Sequence, residues 1–96
     1  EVITAYLSGE LDHHAAVFMR QAIDSAIELN MPTLLILDFE NITFMDSSGI
    51  GLVMGRYRNL IKTGAELSIM GAPPQINKIL EVSTGMVSCC GCFRPP

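Results

Sequence analysis

The stretch FMDSSGIG, residues 44–51, marks the junction between an apolar strand and an amphipathic helix. Apolar side chains dominate the segment before it, and they recur at helical spacing after it. Aspartate and serine are preferred at helix N-termini because their oxygens accept hydrogen bonds from free backbone N–H groups. The junction therefore places two hydroxyls and a carboxylate where negative charge is favoured.

Strand and helix patterns alternate along the rest of the chain. The pattern predicts strands at residues 2–7, 33–39 and 66–70, with a turn at residues 40–42. It predicts a first helix from an Asp12 cap to Asn30, a second from the junction to Thr63, and a short third helix from Pro73. The order predicts a single α/β domain, with a mostly parallel or mixed central sheet covered by helices.

Two strand assignments carry further expectations. Residues 33–39 are almost unbroken apolar sequence, so both faces of this strand are predicted to be buried. Residues 86–93 have the composition of a last strand, but Gly91 and the final prolines weaken that assignment.

The second helix has the clearest periodicity. Its predicted buried stripe consists of Ile50, Val53, Met54, Tyr57, Leu60 and Ile61. Leu52 lies outside this stripe and is predicted to be an exposed apolar contact. Gly49, Gly51 and Gly55 each cost about 1 kcal/mol relative to alanine in a helix. Gly51 and Gly55 also lie four residues apart on one face, which predicts close approach by another backbone, either of this domain or of a partner.

Composition excludes several classes of function. The 96 residues have a net charge of −4, no tryptophan and no basic run, which argues against nucleic-acid binding. No apolar run approaches the roughly 18 residues of a membrane span, and no secretory signal is visible. We expect a cytoplasmic protein that acts away from the membrane.

No catalytic or metal-binding constellation stands out. Cys89, Cys90 and Cys92 crowd together in an odd number, which predicts free thiols in a reducing compartment. His13 and His14 are far from them in sequence, so no metal site is expected. The chain has no nucleophile elbow and no phosphate-cradling loop, so neither an enzyme nor a cofactor is expected.

Ser47 and Ser48 have two interpretations. They can be helix caps, or Ser47 can be a phosphorylation site. A phosphoryl group adds roughly −1.5 to −2 charges, and a helix N-terminus offsets only about 0.3–1 kcal/mol for a negative charge. Asp46 is adjacent, and Asp12 comes close if the two strand ends converge. Two unit charges about 5 Å apart repel by about 3 kcal/mol at an effective dielectric near 20. The phosphate is therefore expected to point outward and block a partner.

Three motifs in this order resemble the bacterial anti-sigma factor antagonists of the STAS domain superfamily. They are GELDHHA at residues 9–15, FMDSSGIG at 44–51 and GRY at 55–57. The resemblance covers roughly residues 1–85 and looks closest to the sporulation-type members. We expect one STAS-like domain over residues 1–96, with an atypical tail at 86–96. Such proteins usually have an extra strand before the position of Glu1, and a longer strand and a helix at the end.

The resemblance implies a regulatory cycle without catalysis by this chain. The unphosphorylated antagonist binds an anti-sigma factor that is also a GHKL-type serine kinase, and a sigma factor is released. Phosphorylation of Ser47 switches binding off, and a PP2C-type phosphatase restores it. Asp12, Asp46, Ser48 and Gly49 would surround the phosphorylated serine. The second helix would face the kinase through Gly51, Leu52, Gly55, Arg56 and Asn59.

An alternative belongs to a different functional class. STAS-like modules also regulate anion transporters and lipid-transport complexes, without phosphorylation. A transporter module should be preceded by membrane spans, and this chain shows none.

Overall fold

The computed structural model describes residues 1–85 in full and the backbone of residues 87–89 and 92–94. Three helices and five strands follow one another along the chain. They are β1 (Val2–Leu11), α1 (His13–Asn30), β2 (Leu34–Met45), α2 (Ser47–Ile61), β3 (Glu66–Met70), α3 (Pro74–Thr84), β4 (Val87–Cys89) and β5 (Cys92–Arg94). The predicted β-α-β-α-β-α order of residues 1–85 is confirmed.

The strands form one mixed sheet in the order β1-β2-β3-β5-β4. β1, β2 and β3 are parallel, whereas β5 runs antiparallel to β3 and to β4. The α/β fold with a mixed central sheet is thus as predicted. The single last strand considered for residues 86–93 is wrong, because two short strands pair there instead.

All three helices contribute to one core on one face of the sheet. Leu35, Leu37 and Phe39 of β2 are fully buried against Leu60 of α2, Leu80 of α3 and their neighbours. Strands that follow one another in the order β1-β2-β3 through right-handed crossovers carry their connecting helices on the same side. The described helices therefore cover only that side.

The prediction that both faces of β2 are buried is wrong. Leu34, Ile36 and Asp38 face the other side and are only half-buried. On the same side, Tyr6 of β1 is 78% exposed and pairs across the sheet with Asp38. Apolar and polar residues do not alternate in residues 33–39 because apolar residues also lie on the face of the sheet that is only partly covered.

The strand ends also differ from the prediction. β1 continues beyond residue 7 to Leu11, and β2 runs through the predicted turn at residues 40–42 to Met45. The two strands stay paired by shifting register between Tyr6 and Ser8 and again after Gly9. Gly9 has φ +83°, a conformation that glycine adopts without strain, and an irregularity of this kind replaces the expected turn.

None of the helices in the described part of the chain is both long enough and apolar enough to cross a membrane.

Candidate functional site

The ends of β1 and β2 bring two aspartates to the same edge of the sheet. Leu11 pairs with Met45, and the backbone N–H of Asp46 donates to the carbonyl oxygen of Leu11 at 3.4 Å. Asp12 and Asp46 are the next residues, and each caps a helix. Oδ1 of Asp12 accepts from the N–H of Ala15 at 2.9 Å, and Oδ1 of Asp46 accepts from the N–H of Ser48 at 2.8 Å. The expected convergence of the two aspartates therefore agrees with the strand register.

Ser47 is the first residue of α2 and its side chain is exposed. Asp46, not Ser47, is the N-cap, so the serine hydroxyl is not needed to start the helix. Within residues 1–85, the Ser47 hydroxyl makes no hydrogen bond. Ser48 is half-buried and contributes its backbone N–H to the cap. Of the two hydroxyls, Ser47 is the more accessible to a modifying enzyme.

The three glycines of α2 have different surroundings. Gly49 is buried, and a Cβ atom there would lie 2.3 Å from Cγ and 2.6 Å from Sδ of Met45. It would also lie 3.0 Å from a methyl carbon of Leu11. Around Gly51 and Gly55, a Cβ atom would meet no described atom within 4 Å. The glycine with close internal packing is therefore Gly49, whereas Gly51 and Gly55, for which a close backbone approach was predicted, leave an open helix face within the described structure.

Leu52 corrects the prediction of an exposed apolar contact. Its side chain is only 3% exposed and belongs to the core. The buried face of α2 consists of Gly49, Leu52, Val53, Arg56 and Leu60, which is rotated by about one residue from the predicted stripe. Ile61, which was assigned to that stripe, is 50% exposed. The predicted stripe was displaced because glycine and arginine, at the inward positions Gly49 and Arg56, add no apolar signal to the pattern.

Arg56 is buried between α1 and α2 rather than displayed to a partner. Its side chain is 6% exposed, and its Nε lies 2.8 Å from Oδ1 of Asp24. That N–H is poorly aligned with the oxygen, and neither Nε nor Nη1 makes a hydrogen bond to a described residue. Burial lowers the pKa of Arg56, whereas Asp24 raises it and Arg20 lowers it further. Asn59 is exposed, and its Nδ2 donates to Asp24 at 3.5 Å.

Asp24 and Arg20 were not recognised from the sequence as neighbours of Arg56. Asp24 follows the buried Ile23 on α1, and its position facing α2 depends on how the two helices cross. A weak signal was present, because Arg56 lies four residues after Leu52 and four before Leu60, in phase with the core. A charged residue in that phase needs a partner on a neighbouring element.

The histidines behave as surface residues. His13 and His14 begin α1, are exposed, and have ring centroids 6.0 Å apart. Within residues 1–85, no three His, Cys, Asp or Glu side chains lie close enough to share a metal ion. Cys89, Cys90 and Cys92 lie outside the residues whose side chains are described.

The chain is similar in sequence to a known domain family and to characterised members of it. The STAS domain family matches residues 1–85, which contain both capped helices and the exposed serine. The chain belongs to the STAS domain family. The anti-sigma F factor antagonist of Paenibacillus polymyxa is 37% identical over 82 residues, which are 85% of this chain and 70% of that protein. The one from Lysinibacillus sphaericus is 39% identical over 83 residues, or 86% and 71% of the two chains.

Solved structures agree with this assignment. The unphosphorylated anti-sigma factor antagonist SpoIIAA superposes with a TM-score of 0.78 at 40% identity, over 86% of this chain and 72% of that one. The phosphorylated form of the Bacillus cell fate determinant SpoIIAA gives a TM-score of 0.69 at 40% identity, over 83% and 72%. The STAS domain of a SulP transporter from Vibrio cholerae gives 0.64 at 26% identity, over 83% and 61%.

Proposed function

We propose that this STAS domain is an anti-sigma factor antagonist whose binding is switched by phosphorylation of Ser47. Its unphosphorylated form binds an anti-sigma factor that is also a GHKL-type serine kinase, and a sigma factor is released. The kinase phosphorylates Ser47, and a PP2C-type phosphatase reverses the modification. The chain acts in the cytoplasm as a regulatory protein, not as an enzyme.

One observation carries this proposal: Ser47 is exposed at the start of α2 while Asp46 alone caps the helix. In a serine that capped the helix, phosphorylation would modify the capping oxygen itself and so act on the start of the helix. Here the hydroxyl can be esterified while the cap from Asp46 to Ser48 stays in place. The similarity to both the unphosphorylated and the phosphorylated SpoIIAA structures supports the same conclusion.

The surroundings of Ser47 explain why phosphorylation would act on binding rather than on folding. Asp46 and Asp12 already supply carboxylates at this edge, so a phosphate adds to a negative cluster. Like charges about 5 Å apart repel by about 3 kcal/mol at an effective dielectric near 20, which exceeds the benefit of about 0.3–1 kcal/mol from the helix end. The exposed phosphate relieves this repulsion by pointing into solvent, where it blocks docking by charge and bulk.

The partner surface follows from what α2 leaves open. Gly51, Gly55 and Asn59 remain candidates for direct contact. Gly51 and Asn59 are exposed, and Gly55 is half-buried but has no described atom within 4 Å of the position that a Cβ would take. Leu52 and Arg56 act from inside by holding α2 against the core and against α1.

The decisive experiment is intact-mass measurement after incubation with the cognate kinase and ATP. One phosphate on the wild-type chain and none on Ser47→Ala is expected. Ser48→Ala is the matched control, because Ser48 is the neighbouring hydroxyl, and it should accept one phosphate. A phosphate that persists on Ser47→Ala, or no uptake by any variant, contradicts the proposal.

A second candidate function is a regulatory module of an anion transporter. The likeness to the SulP transporter STAS domain favours it, at 26% identity and a TM-score of 0.64. The same experiment separates the two, because a module that works without phosphorylation accepts no phosphate and does not bind the kinase. The higher identity and TM-score of SpoIIAA favour the antagonist.

A further inference from the structure

One large apolar side chain in the motif at residues 44–51 is not used in folding. Phe44 is 50% exposed and stands outside the core that the described residues form. Its neighbour Met45 is buried against Gly49. Successive side chains of a strand point to opposite faces, so the inward position of Met45 turns Phe44 outward. The exposure of Phe44 is therefore fixed by its place in β2.

The neighbour of Phe44 on the adjacent strand does not cover the ring. Phe44 pairs with Glu10 of β1, which is also exposed. Neighbouring strands lie about 4.8 Å apart, so the side chain beside the ring on this strand is a carboxylate and not an apolar group. Single exposed apolar residues are common on protein surfaces, and exposure alone does not indicate a contact. The position of Phe44 relative to Ser47 does.

Phe44 lies within the area that a kinase must cover in order to reach Ser47. The two residues are three apart in sequence, so their Cα atoms are separated by at most about 11 Å. A standard protein interface covers about 800 Å² of each partner, which corresponds to a disc with a radius of roughly 16 Å. Among the exposed large apolar side chains of the described residues, Phe44 is the nearest to Ser47 in sequence.

The chemistry of Phe44 suits a contact of this kind. A phenylalanine side chain buries about 150–250 Å², and aromatic residues are enriched in the centres of interfaces. The backbone of Phe44 is held in β2 by pairing with β1, so binding has to order little more than the ring.

We propose that Phe44 is a recognition residue for the phosphorylation of Ser47, and that its ring enters an apolar pocket of the anti-sigma factor kinase. This inference rests on the proposed function and adds a contact outside α2. The kinase transfers the γ-phosphoryl group of ATP to the hydroxyl oxygen of Ser47, and ADP and the hydroxyl proton are released. Phe44 takes no part in this bond exchange. It binds equally before and during the transfer, so it affects saturation of the kinase and not the maximal rate.

The phosphorylation rate, measured against the concentration of this chain with the cognate kinase and ATP, tests the contact. Phe44→Ala should raise the half-saturating concentration about thirtyfold and leave the maximal rate within about threefold of wild type. Calorimetric titration with the kinase should show a similar loss of affinity.

Leu29→Ala is the control, because it also removes an exposed apolar side chain. Leu29 is 84% exposed and lies sixteen residues, or about 24 Å, along α1 from His13 at the start of that helix. Its substitution should change the half-saturating concentration by less than about threefold. Equal losses for Phe44→Ala and Leu29→Ala would refute the contact, because the effect would then not depend on the position near Ser47.

A folding measurement separates contact from stability. Phe44 stands outside the described core, so Phe44→Ala should keep the urea midpoint of the wild-type chain. A large fall in this midpoint, together with a loss of binding, would refute the inference, because the ring would then be needed for packing within this protein.

The remaining outcomes distinguish this inference from the function on which it rests. If the wild-type chain is phosphorylated and Phe44→Ala has the same half-saturating concentration, the contact is refuted while the antagonist function stands. A lower maximal rate with unchanged saturation also refutes it, because Phe44 would then act on the transfer and not on recognition. If the wild-type chain neither binds the kinase nor accepts phosphate, both proposals fall.

Discussion

Asp24 of α1 and Arg56 of α2 form an ion pair across the interface of these two helices, with Oδ1 2.8 Å from Nε. The pair is asymmetric, because the arginine side chain is 6% exposed and the aspartate side chain 32%. Asp24 can retain water and Asn59 as partners, whereas Arg56 has few alternatives. This ion pair connects α1 to α2, the helix that begins with Ser47, and so bears on the orientation of α2 relative to α1.

Substitution at the two ends of this pair should have unequal effects on stability. Asp24→Ala leaves a buried guanidinium without a counter-charge, so we expect a loss of about 2–3 kcal/mol, at or below the lower end of the range for a buried pair. Arg56→Met removes the buried charge and keeps an apolar stem, and we expect a change within about 1 kcal/mol. Urea unfolding measures both. Equal losses of stability for the two variants would show that an unpaired buried charge on Arg56 is not the cause of the loss.

The glycines of α2 provide a second comparison within one helix. Gly49→Ala should destabilise the chain by about 1–2 kcal/mol, because overpacking against Met45 and Leu11 outweighs the gain in helix propensity. Gly51→Ala and Gly55→Ala should stabilise it by up to about 1 kcal/mol, because each added methyl group meets no described atom. Thermal unfolding measures all three, and a stabilised Gly49→Ala variant would contradict the described packing.

One of these two open glycines, Gly51, should show opposite effects on stability and on binding. If α2 faces the anti-sigma factor, Gly51→Ala stabilises the free chain but weakens the complex, because the methyl group occupies space on the exposed face of α2 that a partner would contact. Calorimetric titration of the more stable variant measures this. Unchanged affinity would show that the partner does not contact this part of α2.

Asp46 combines a structural and an electrostatic role that can be separated. Asp46→Ala removes the cap on Ser48 and should cost about 1 kcal/mol. Asp46→Asn keeps an oxygen that accepts from the same N–H, so stability should stay within a few tenths of a kcal/mol of wild type. The asparagine variant also removes a negative charge beside Ser47, and we expect its phosphorylation rate or affinity to change more than its stability. If the asparagine variant is phosphorylated and binds as the wild type does, Asp46 acts only as a helix cap.

Substitutions at Ser47 test the switch directly. Ser47→Asp should fold and bind the anti-sigma factor weakly, because it adds a charge at the exposed first residue of α2 without removing the Asp46 cap. Ser47→Ala should bind as the unmodified chain does and resist inactivation by ATP. Amide chemical shifts of the phosphorylated chain should change near residues 44–51 and stay constant through the core. Equal affinity of wild type, Ser47→Ala and Ser47→Asp would reject the switch.

Local patterns were sufficient for much of this fold. The order of elements, the Asp12 and Asp46 positions at helix starts and the mixed sheet could be predicted, because capping and apolar periodicity depend on neighbours in sequence. That only one face of the sheet is buried could not be predicted from local patterns. It depends on the direction in which successive crossovers proceed across the strands. The continuation of β1 and β2 through Gly9 and residues 40–42 depended on two register shifts between the strands.

The sequence by itself determined that a serine pair follows an aspartate at the start of a helix, because those residues are adjacent in the chain. Only the tertiary structure decided that Ser47 is exposed, that Gly49 is packed against Met45, and that Leu52 and Arg56 point inward. The rotation of α2 about its axis sets all of these positions. That rotation is set by contacts with α1, β3 and α3, which come from other parts of the chain and leave no local pattern.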